Sequence, residues 1–205
     1  MALDVTFGSL TQEEADRLGQ ASVMPVDAGI ASLAVSDHVP GATEPWVSRL
    51  VGDFVVATGA RTVLETGCFT GATSVYIQDA LYRLGGGTYW LCDIDPQRLK
   101  ATERRLEQHP FRLVSLYFRG DVMRVLQSPD TPRFDLAFVD DEHTKPHVTK
   151  ELMLLIPRMN PGGLILLHDV YGVTDLQEVV RQFGGYSIKL PRLGPAGGLG
   201  CIQCP

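Results

Sequence analysis

An alternation of short apolar runs and helical patterns over residues 45–205 limits this chain to one class of fold. Five buried strands are predicted at RTVLET, TYWLCDID, VSLYFRGD, FDLAFVDDE and GGLILLHDV. Helical patterns precede the first strand, follow most of the others and begin with Pro45, Pro96 and Pro146. The last of these three is expected to run to about Met159. Strands joined through helices run parallel, because the chain must cross back over the sheet. We therefore expect an α/β, doubly wound fold.

The last two predicted strands break this alternation. YSIKLP and GLGCIQC are separated by the turn-rich RLGPAGG, with no helical pattern between them. Such strands should pair as an antiparallel hairpin at or near one edge of the sheet. The full prediction is a mostly parallel, seven-stranded sheet with a C-terminal antiparallel hairpin.

Residues 1–44 differ in pattern from the rest of the chain. Thr11-Gln12-Glu13-Glu14 fits a capping box and predicts a short helix, whereas residues 24–43 mix Pro, Gly, Ala and Ser without a period. We expect an N-terminal helical or irregular extension over 1–44, serving as a lid or a dimer contact, with a disordered arm as the alternative. A single domain is expected over residues 45–205.

The charge balance excludes some classes of partner. The formal net charge is -6 and the pI is about 5.3, which argues against a nucleic-acid substrate because phosphate contacts need clustered Lys and Arg. No run approaches the ~18 apolar residues of a membrane span. The first residues lack the basic-then-apolar order of a signal peptide. We therefore expect a cytoplasmic protein that acts away from membranes.

One acid closes each of the five successive predicted strands. In an open parallel sheet, ligands bind beyond the carboxyl ends of the strands, near the point where the strand order reverses. Helix capping explains one or two acids at such positions, but it explains five less easily. These strand-ending acids predict a shared ligand site, and they are Glu65, Asp93, Asp121, Asp140 and Asp169.

The turn after the first strand, LETGCFTGATS at residues 64–74, narrows the choice of ligand. A dinucleotide fingerprint GxGxxG would have glycine where Phe69 stands between Gly67 and Gly71. Glu65 adds negative charge beside the turn, which suits a cation better than a diphosphate. Asp93, at the end of the next strand, can accept both hydroxyls of a ribose. S-adenosylmethionine fits this pattern, since it carries an ammonium, a sulfonium, a ribose and an adenine without phosphate.

Several blocks in order over residues 44–205 resemble the class I S-adenosylmethionine-dependent methyltransferases. LETGCFTGATS, WLCDIDP and FRGDV resemble the cofactor motifs, the first in the form seen in catechol and caffeoyl-CoA O-methyltransferases. FDLAFVDDEHT and NPGGLILLHDV resemble a bacterial branch grouped with macrolide and cephalosporin-type methyltransferases. The resemblance implies a methyltransferase domain at 45–205, O-methylation of a small-molecule hydroxyl, and a seventh strand inserted between the fifth and sixth. A homodimer is also reasonable.

The same resemblance implies specific cofactor contacts, with Asp93 on the ribose and Asp121 on the adenine amino group. The implied cofactor-binding residues are Glu65, Gly67, Phe69, Thr70, Gly71, Ser74, Asp93, Ile94, Asp121, Val122 and Asp140.

Metal dependence is an open question in the sequence. In metal-dependent relatives, an acid after the fourth strand and an Asp-Asn pair after the fifth bind a divalent cation, so Asp140 and Asp169 are the expected ligands. The Asn position is Val170 here. Asp141 or Glu142 offers a further oxygen to Mg²⁺ or another divalent cation.

Proton removal from the acceptor hydroxyl needs a base, and the residues after the fourth strand supply the candidates. His143, with Asp140 beside it, is the expected catalytic base, because a neutral imidazole accepts protons near neutral pH. The alternative is that His143 braces the next helix. We expect His168 to be a hydrogen-bonded structural histidine and His147 to lie on the surface.

Three other functions remain as alternatives. A nicotinamide dehydrogenase is disfavoured by Phe69, Glu65 and the final hairpin. A S-adenosylmethionine-binding protein without turnover is kept open by Val170. A methyltransferase acting on protein or nucleic acid is disfavoured by the net acidity and by the lack of a further recognition domain.

Overall fold

The fold is a seven-stranded sheet covered by helices on both faces. The structure is a computed structural model that describes residues 42–108, 114–172, 176–189 and 197–205. The helices in these residues are α1 (Pro45–Thr58), α2 (Ala72–Arg83), α3 (Pro96–Glu107), α4 (Val122–Gln127), α5 (Lys145–Leu155) and α6 (Gln177–Gln182). The strands are β1 (Thr62–Thr66), β2 (Gly87–Cys92), β3 (Val114–Arg119), β4 (Phe134–Val139), β5 (Met159–Leu167), β6 (Tyr186–Lys189) and β7 (Gly198–Gln203).

The strand order confirms the predicted topology. The sheet runs β3-β2-β1-β4-β5-β7-β6. The first five strands are parallel, and β7 is antiparallel to both β5 and β6. The hairpin strand β7 is therefore inserted between the fifth and sixth strands. The order reverses between β1 and β4, and ligand sites in such sheets lie at this point.

Two apolar layers hold the helices to the sheet. Successive strand residues point to opposite faces, so Val63 packs with α1, α2 and α3, whereas Leu64 packs with α4, α5 and α6. Both side chains are fully buried. The strands are thus apolar on both faces, which explains why they appear in the sequence as continuous apolar runs.

Two local predictions are corrected by the structure. The helix expected at about 146–159 ends at Leu155 and continues as a 3₁₀ turn over Ile156–Arg158, so Met159 already begins β5. Pro157 lacks the N–H that the helical ladder needs at this point. The six-residue helix α4 was not predicted, because it is too short to show a helical period.

Residues 1–41, most of the predicted extension, lie outside the described residues, as do 109–113, 173–175 and 190–196. The last three residues of the predicted extension, 42–44, lie against the cavity described below. None of the helices in the described parts of the chain combines the length and apolar character that a bilayer crossing requires.

Candidate active site

A cavity of about 800 Å³ opens at the carboxyl ends of the parallel strands. It lies where the strand order reverses, between β1 and β4, with β2 and β5 on either side. The five strand-ending acids all line it, namely Glu65, Asp93, Asp121, Asp140 and Asp169. The structure thus brings together the side chains that the sequence placed at successive strand ends.

The loop after β1 is shaped by Gly67, which has a φ of +74°. A Cβ at this position would lie 2.2 Å from the carbonyl oxygen of Asp140. Only glycine permits so close an approach between this loop and the loop after β4. The two loops form neighbouring walls of the cavity as a result.

Asp93 is held against the turn that follows β1. Its Oδ2 accepts the backbone N–H of Phe69 at 3.0 Å, and its Oδ1 accepts the N–H of Asp95 at 2.9 Å. Asp95 itself accepts from the N–H of Gln97 and caps α3, as its position before Pro96 predicts. Asp93 is therefore an oriented, nearly buried carboxylate on the cavity wall.

Glu65 lies deepest among these acids and is buried at the end of β1. Its Oε2 accepts hydrogen bonds from Ser74 Oγ, at 2.6 Å, and from the Tyr89 hydroxyl. Burial raises the pKa of Glu65 to about 7, although these two hydrogen bonds oppose the shift. A cation in the cavity would favour the ionised form of this carboxyl group.

Three predicted cofactor contacts do not line the cavity. Thr70 and Gly71 lie beside it, and the Ser74 hydroxyl is fully buried and bonded to Glu65. The helix α2 begins at Ala72, and each helical residue turns the chain by about 100°, so Thr73 faces the cavity instead of Ser74. Ser74 orients Glu65 from behind the wall.

The far end of the cavity combines an acid with apolar groups. Asp121 accepts the N–H of Met123 at 2.8 Å and caps α4, and it also lines the cavity beside Val122. Ile94 lies at the rim and is 82% exposed. Asp121 thus both caps α4 and lines the cavity. The exposed Ile94 offers an apolar surface to a planar ligand.

Arg98 contributes a contact that the sequence did not reveal. Its guanidinium lies 4.7 Å from the centre of the Phe69 ring, in cation–π geometry. Phe69 has a φ of 49°, a left-handed conformation that is uncommon without glycine. Eight Asp or Glu residues and this one Arg are the ordinarily charged residues that line the described part of the cavity. The cavity is therefore strongly acidic.

Four ionisable side chains, named here the Asp140 cluster, border the acidic cavity on the β4 and β5 side. Asp140 Oδ1 lies 2.8 Å from His168 Nδ1 and 3.2 Å from His143 Nε2. Asp140 Oδ2 accepts the Thr43 hydroxyl at 2.5 Å. His168 Nε2 lies 2.9 Å from Glu44 Oε2. His168 is hydrogen-bonded, as predicted, but it also lines the cavity.

The side chains of the Asp140 cluster shift one another's pKa values. Burial lowers the pKa of His168, but the Asp140 charge and hydrogen bonds to Asp140 and Glu44 outweigh it and raise that pKa to about 10. Burial raises the pKa of Asp140, yet the His168 charge and three hydrogen bonds lower it to about 2. The hydrogen bond to Asp140 raises the pKa of His143. At neutral pH an imidazolium and a carboxylate therefore lie side by side.

A histidine lies between the two carboxyl groups of the expected Mg²⁺ site at Asp140 and Asp169. Both oxygens of Asp140 accept hydrogen bonds, and His168 Nε2 lies 3.6 Å from Asp169 Oδ1. Val170 is fully buried in the core and offers no ligand. Asp140 and Asp169 each belong to a group of side chains whose ligand atoms lie within 4.8 Å of one another, so metal binding there stays a prediction.

His147, which was expected at the surface, is partly buried. Its side chain is 22% exposed and lines the cavity, with Nε2 2.9 Å from Asp141 Oδ2. No local pattern predicts this contact, because it joins a helix to the loop before it.

Comparisons with known proteins agree with the fold and the cavity. A family model described as a methyltransferase domain matches residues 64–170. A protein of Mycolicibacterium vanbaalenii named "Putative O-methyltransferase" is 26% identical over 134 residues, covering 62% of this chain and 55% of that protein. The chain spans about half the length of the curated relatives it matches.

Two crystal structures illustrate the likeness in fold. The O-methyltransferase TomG from Streptomyces achromogenes, involved in tomaymycin synthesis and crystallised with SAM, has a TM-score of 0.69 at 20% identity, covering 96% of this chain and 100% of that one. An O-methyltransferase from Bacillus cereus in complex with SAH has a TM-score of 0.68 at 15% identity, covering 92% and 95%. At these identities the similarity establishes the fold.

The match covers just over half of the 205 residues, from the end of β1 through β5, and includes all five strand-ending acids. This chain therefore belongs to the methyltransferase domain family.

Proposed function

We propose that this protein is an S-adenosylmethionine-dependent methyltransferase that acts on a hydroxyl group of a small molecule. The observation that carries the proposal is that one cavity joins an acidic wall to a paired histidine and carboxylate. The wall suits a cationic cofactor, and the Asp140–His143 pair suits proton removal from a hydroxyl.

The lining residues fit the parts of the cofactor in order along the cavity. Asp93, held by two backbone N–H groups, is the acceptor for ribose hydroxyls. Glu65 and the turn at Gly67 attract the ammonium end, and Ile94, Asp121 and Val122 hold the adenine. When bound, S-adenosylmethionine supplies a methyl group activated by its sulfonium. The protein's task is then to position the acceptor and remove its proton.

His143 is the proposed base. Its Nε2 lies 3.2 Å from Asp140 Oδ1, which pairs the imidazole with a carboxylate. The acceptor proton moves to the neutral imidazole, and Asp140 stabilises the imidazolium that results. The ion pair with His168 keeps Asp140 ionised throughout, since it lowers the pKa of that carboxyl group to about 2 after the opposing effect of burial.

Residues 1–44 are proposed to close the acceptor side of the cavity. The contacts of Thr43 with Asp140 and of Glu44 with His168 support this role, because they tie the end of this segment to the proposed catalytic residues. A small-molecule acceptor, a homodimer and a cytoplasmic location are parts of the same proposal. The four free cysteines are compatible with the reducing conditions of the cytoplasm.

An assay of demethylated cofactor tests the function. The protein is incubated with S-adenosylmethionine and a panel of phenols, catechols and aliphatic alcohols, and S-adenosylhomocysteine release is followed. We expect turnover with at least one hydroxyl compound, and a loss of about 10²–10⁴-fold in kcat for His143→Gln, as is typical for a lost general base. The Kd for the cofactor should be unchanged in that variant. Full activity of His143→Gln would show that another group removes the proton.

A further inference from the structure

A second group of ligating side chains lies behind the loop that carries Asp140. Asp141, in the loop after β4, meets His147 and Glu151, which are one turn apart on α5. His147 Nε2 lies 2.9 Å from Asp141 Oδ2 and 3.7 Å from Glu151 Oε2. One nitrogen and two carboxylate oxygens of these side chains thus lie within 4.8 Å of one another.

Asp141 Oδ2 is hydrogen-bonded to His147, but other oxygens around this point lack partners in the described part of the chain. Glu151 is completely buried, and neither of its carboxylate oxygens has a hydrogen bond of ordinary geometry within the described residues. The same holds for Asp141 Oδ1 and for the hydroxyl of Thr66, at the end of β1. Buried polar groups nearly always have partners, and an exception of this kind commonly marks an ion or a water.

The charges around this point also call for a positive partner. Asp141 and the fully buried Glu151 bring carboxylate oxygens within 4.8 Å of each other and of His147 Nε2. Two carboxyl groups held together out of water need either a shared proton or a cation. His147 adds a nitrogen ligand, which suits a transition-metal ion.

The spacing of the three ligand atoms suits a small transition-metal ion. Zn²⁺ bound at about 2.0–2.2 Å by nitrogen and oxygen holds its tetrahedral ligands roughly 3.3–3.6 Å apart. His147 Nε2 lies 3.7 Å from Glu151 Oε2, just above that range, and 2.9 Å from Asp141 Oδ2, just below it. The shorter contact is a hydrogen bond, so an ion would replace its proton and move the two atoms apart by about 0.4–0.7 Å. Glu142 Oε2 lies 3.5 Å from His147 Nδ1, where metal-bound histidines typically have a carboxylate partner.

We propose that Asp141, His147 and Glu151 bind a divalent first-row transition-metal ion, such as Zn²⁺, at a site separate from the Asp140 cluster. The ion joins the loop after β4 to α5. It thereby fixes the segment between Asp140 and His143, and its role is to hold the loop in place instead of contacting the acceptor.

Metal binding to the intact, untagged protein tests the proposal. The purified chain is stripped with a chelator, and Zn²⁺ is then titrated in competition with a chromophoric chelator. We expect one tightly bound ion per chain. His147→Gln and Glu151→Gln should each weaken binding by at least about 100-fold, and Glu142→Gln by about 10–100-fold, as for an outer partner of a ligand. Circular dichroism establishes that each variant is folded, and His147→Gln suffices if Glu151→Gln does not fold.

Asp140→Asn and His168→Gln are the matched controls, because they alter the neighbouring cluster of the same residue types. Both should retain one equivalent of Zn²⁺ at wild-type affinity. Loss of the ion in these controls, with retention in His147→Gln, would place it in the Asp140 cluster and overturn the proposal. A wild-type chain that binds no Zn²⁺, together with a higher Tm for Glu151→Gln, would identify a shared proton instead. Neither outcome bears on cofactor binding, which depends on Asp93.

Discussion

At the scale of single residues, the environment of each acid decides what it does in the cavity. Glu65 is buried with two hydroxyl donors, Asp93 is held by backbone N–H groups, and Asp140 is paired with an imidazolium. The three carboxyl groups therefore have different hydrogen-bond partners although all three close a strand. Two predictions follow from these differences.

Cofactor affinity should depend on the charge of Glu65. Because burial raises its pKa to about 7, a cationic ligand must compete with a proton below that pH. We expect the Kd for S-adenosylmethionine to fall by about tenfold between pH 6 and pH 8. Calorimetry in buffers of different ionisation enthalpy should detect proton release near pH 6.5. An equally steep dependence in Glu65→Gln would contradict this explanation.

The pKa of His143 should lie above the ordinary value, because its ring donates to Asp140. Titration of ¹³C-labelled histidines by NMR measures this directly, and it needs no knowledge of the acceptor. Asp140→Asn should lower the pKa of His143, since the amide carries no charge. A His143 signal that titrates identically in both proteins would show that Asp140 does not act on this ring.

Single residues also mark where prediction from sequence ends. The acids at the strand ends were predictable, because a parallel sheet brings its carboxyl ends together. Thr73 and Arg98 were not, because their approach to the cavity depends on where α2 and α3 begin and how they turn. The tie between Glu44 and His168 joins residues 124 positions apart and leaves no local signal.

At the scale of elements, the contact between the loops after β1 and β4 sets the shape of the cavity. Gly67 is close to the backbone of Asp140 and Asp141, whereas Gly85 adopts a similar φ of +88° in open space. Substitutions at these two glycines therefore separate the effect of backbone conformation from the effect of close approach to another loop.

Gly67→Ala should destabilise the protein more than Gly85→Ala. Both variants bear the cost of a left-handed conformation, about 1–2 kcal/mol. Only Gly67→Ala adds a clash with backbone atoms, for which we expect a total loss of about 3 kcal/mol or more in the free energy of unfolding. Urea unfolding followed by circular dichroism measures both. Equal losses would mean that the two loops separate without cost.

Element boundaries were predictable where the sequence carries a local signal. Pro45 and Pro96 begin α1 and α3 as expected. The end of α5 was missed, because Ile156 and Pro157 continue an apolar pattern that resembles one more helical turn. The short helix α4 buries three residues, too few to produce a period in the sequence.

At the scale of the whole molecule, the order of strands and helices was the most predictable feature. The alternation of strand and helix patterns predicts a parallel sheet. The lack of a helical pattern between the last two strands predicts the antiparallel pairing of β6 with β7. The metal prediction lies at the opposite extreme. It depends on side chains such as His168 and Glu44, which approach Asp140 from distant parts of the sequence and leave no local pattern.

The stability of the whole molecule should reflect the His168–Asp140 pair. The pKa of His168 is raised to about 10, so its contribution is fully present below about pH 6.5 and is lost as pH rises towards 10. The pKa of Asp140 is lowered to about 2, so its contribution is lost only as pH falls from about 3.8 towards 2. Thermal unfolding of His168→Gln should therefore show a shallower alkaline decline than wild type. Parallel curves would contradict the charge assigned to His168.

Binding of S-adenosylmethionine to wild type, Asp93→Asn and Asp95→Asn tests the central claim most directly. The two acids lie two residues apart, but Asp93 faces the cavity and Asp95 caps α3. Calorimetry should show one cofactor per wild-type chain, a loss of about tenfold or more in affinity for Asp93→Asn, near-normal affinity for Asp95→Asn, and no binding of NAD⁺. Binding of NAD⁺ alone, or equal effects of the two substitutions, would contradict the assignment of this cavity to a cationic methyl donor.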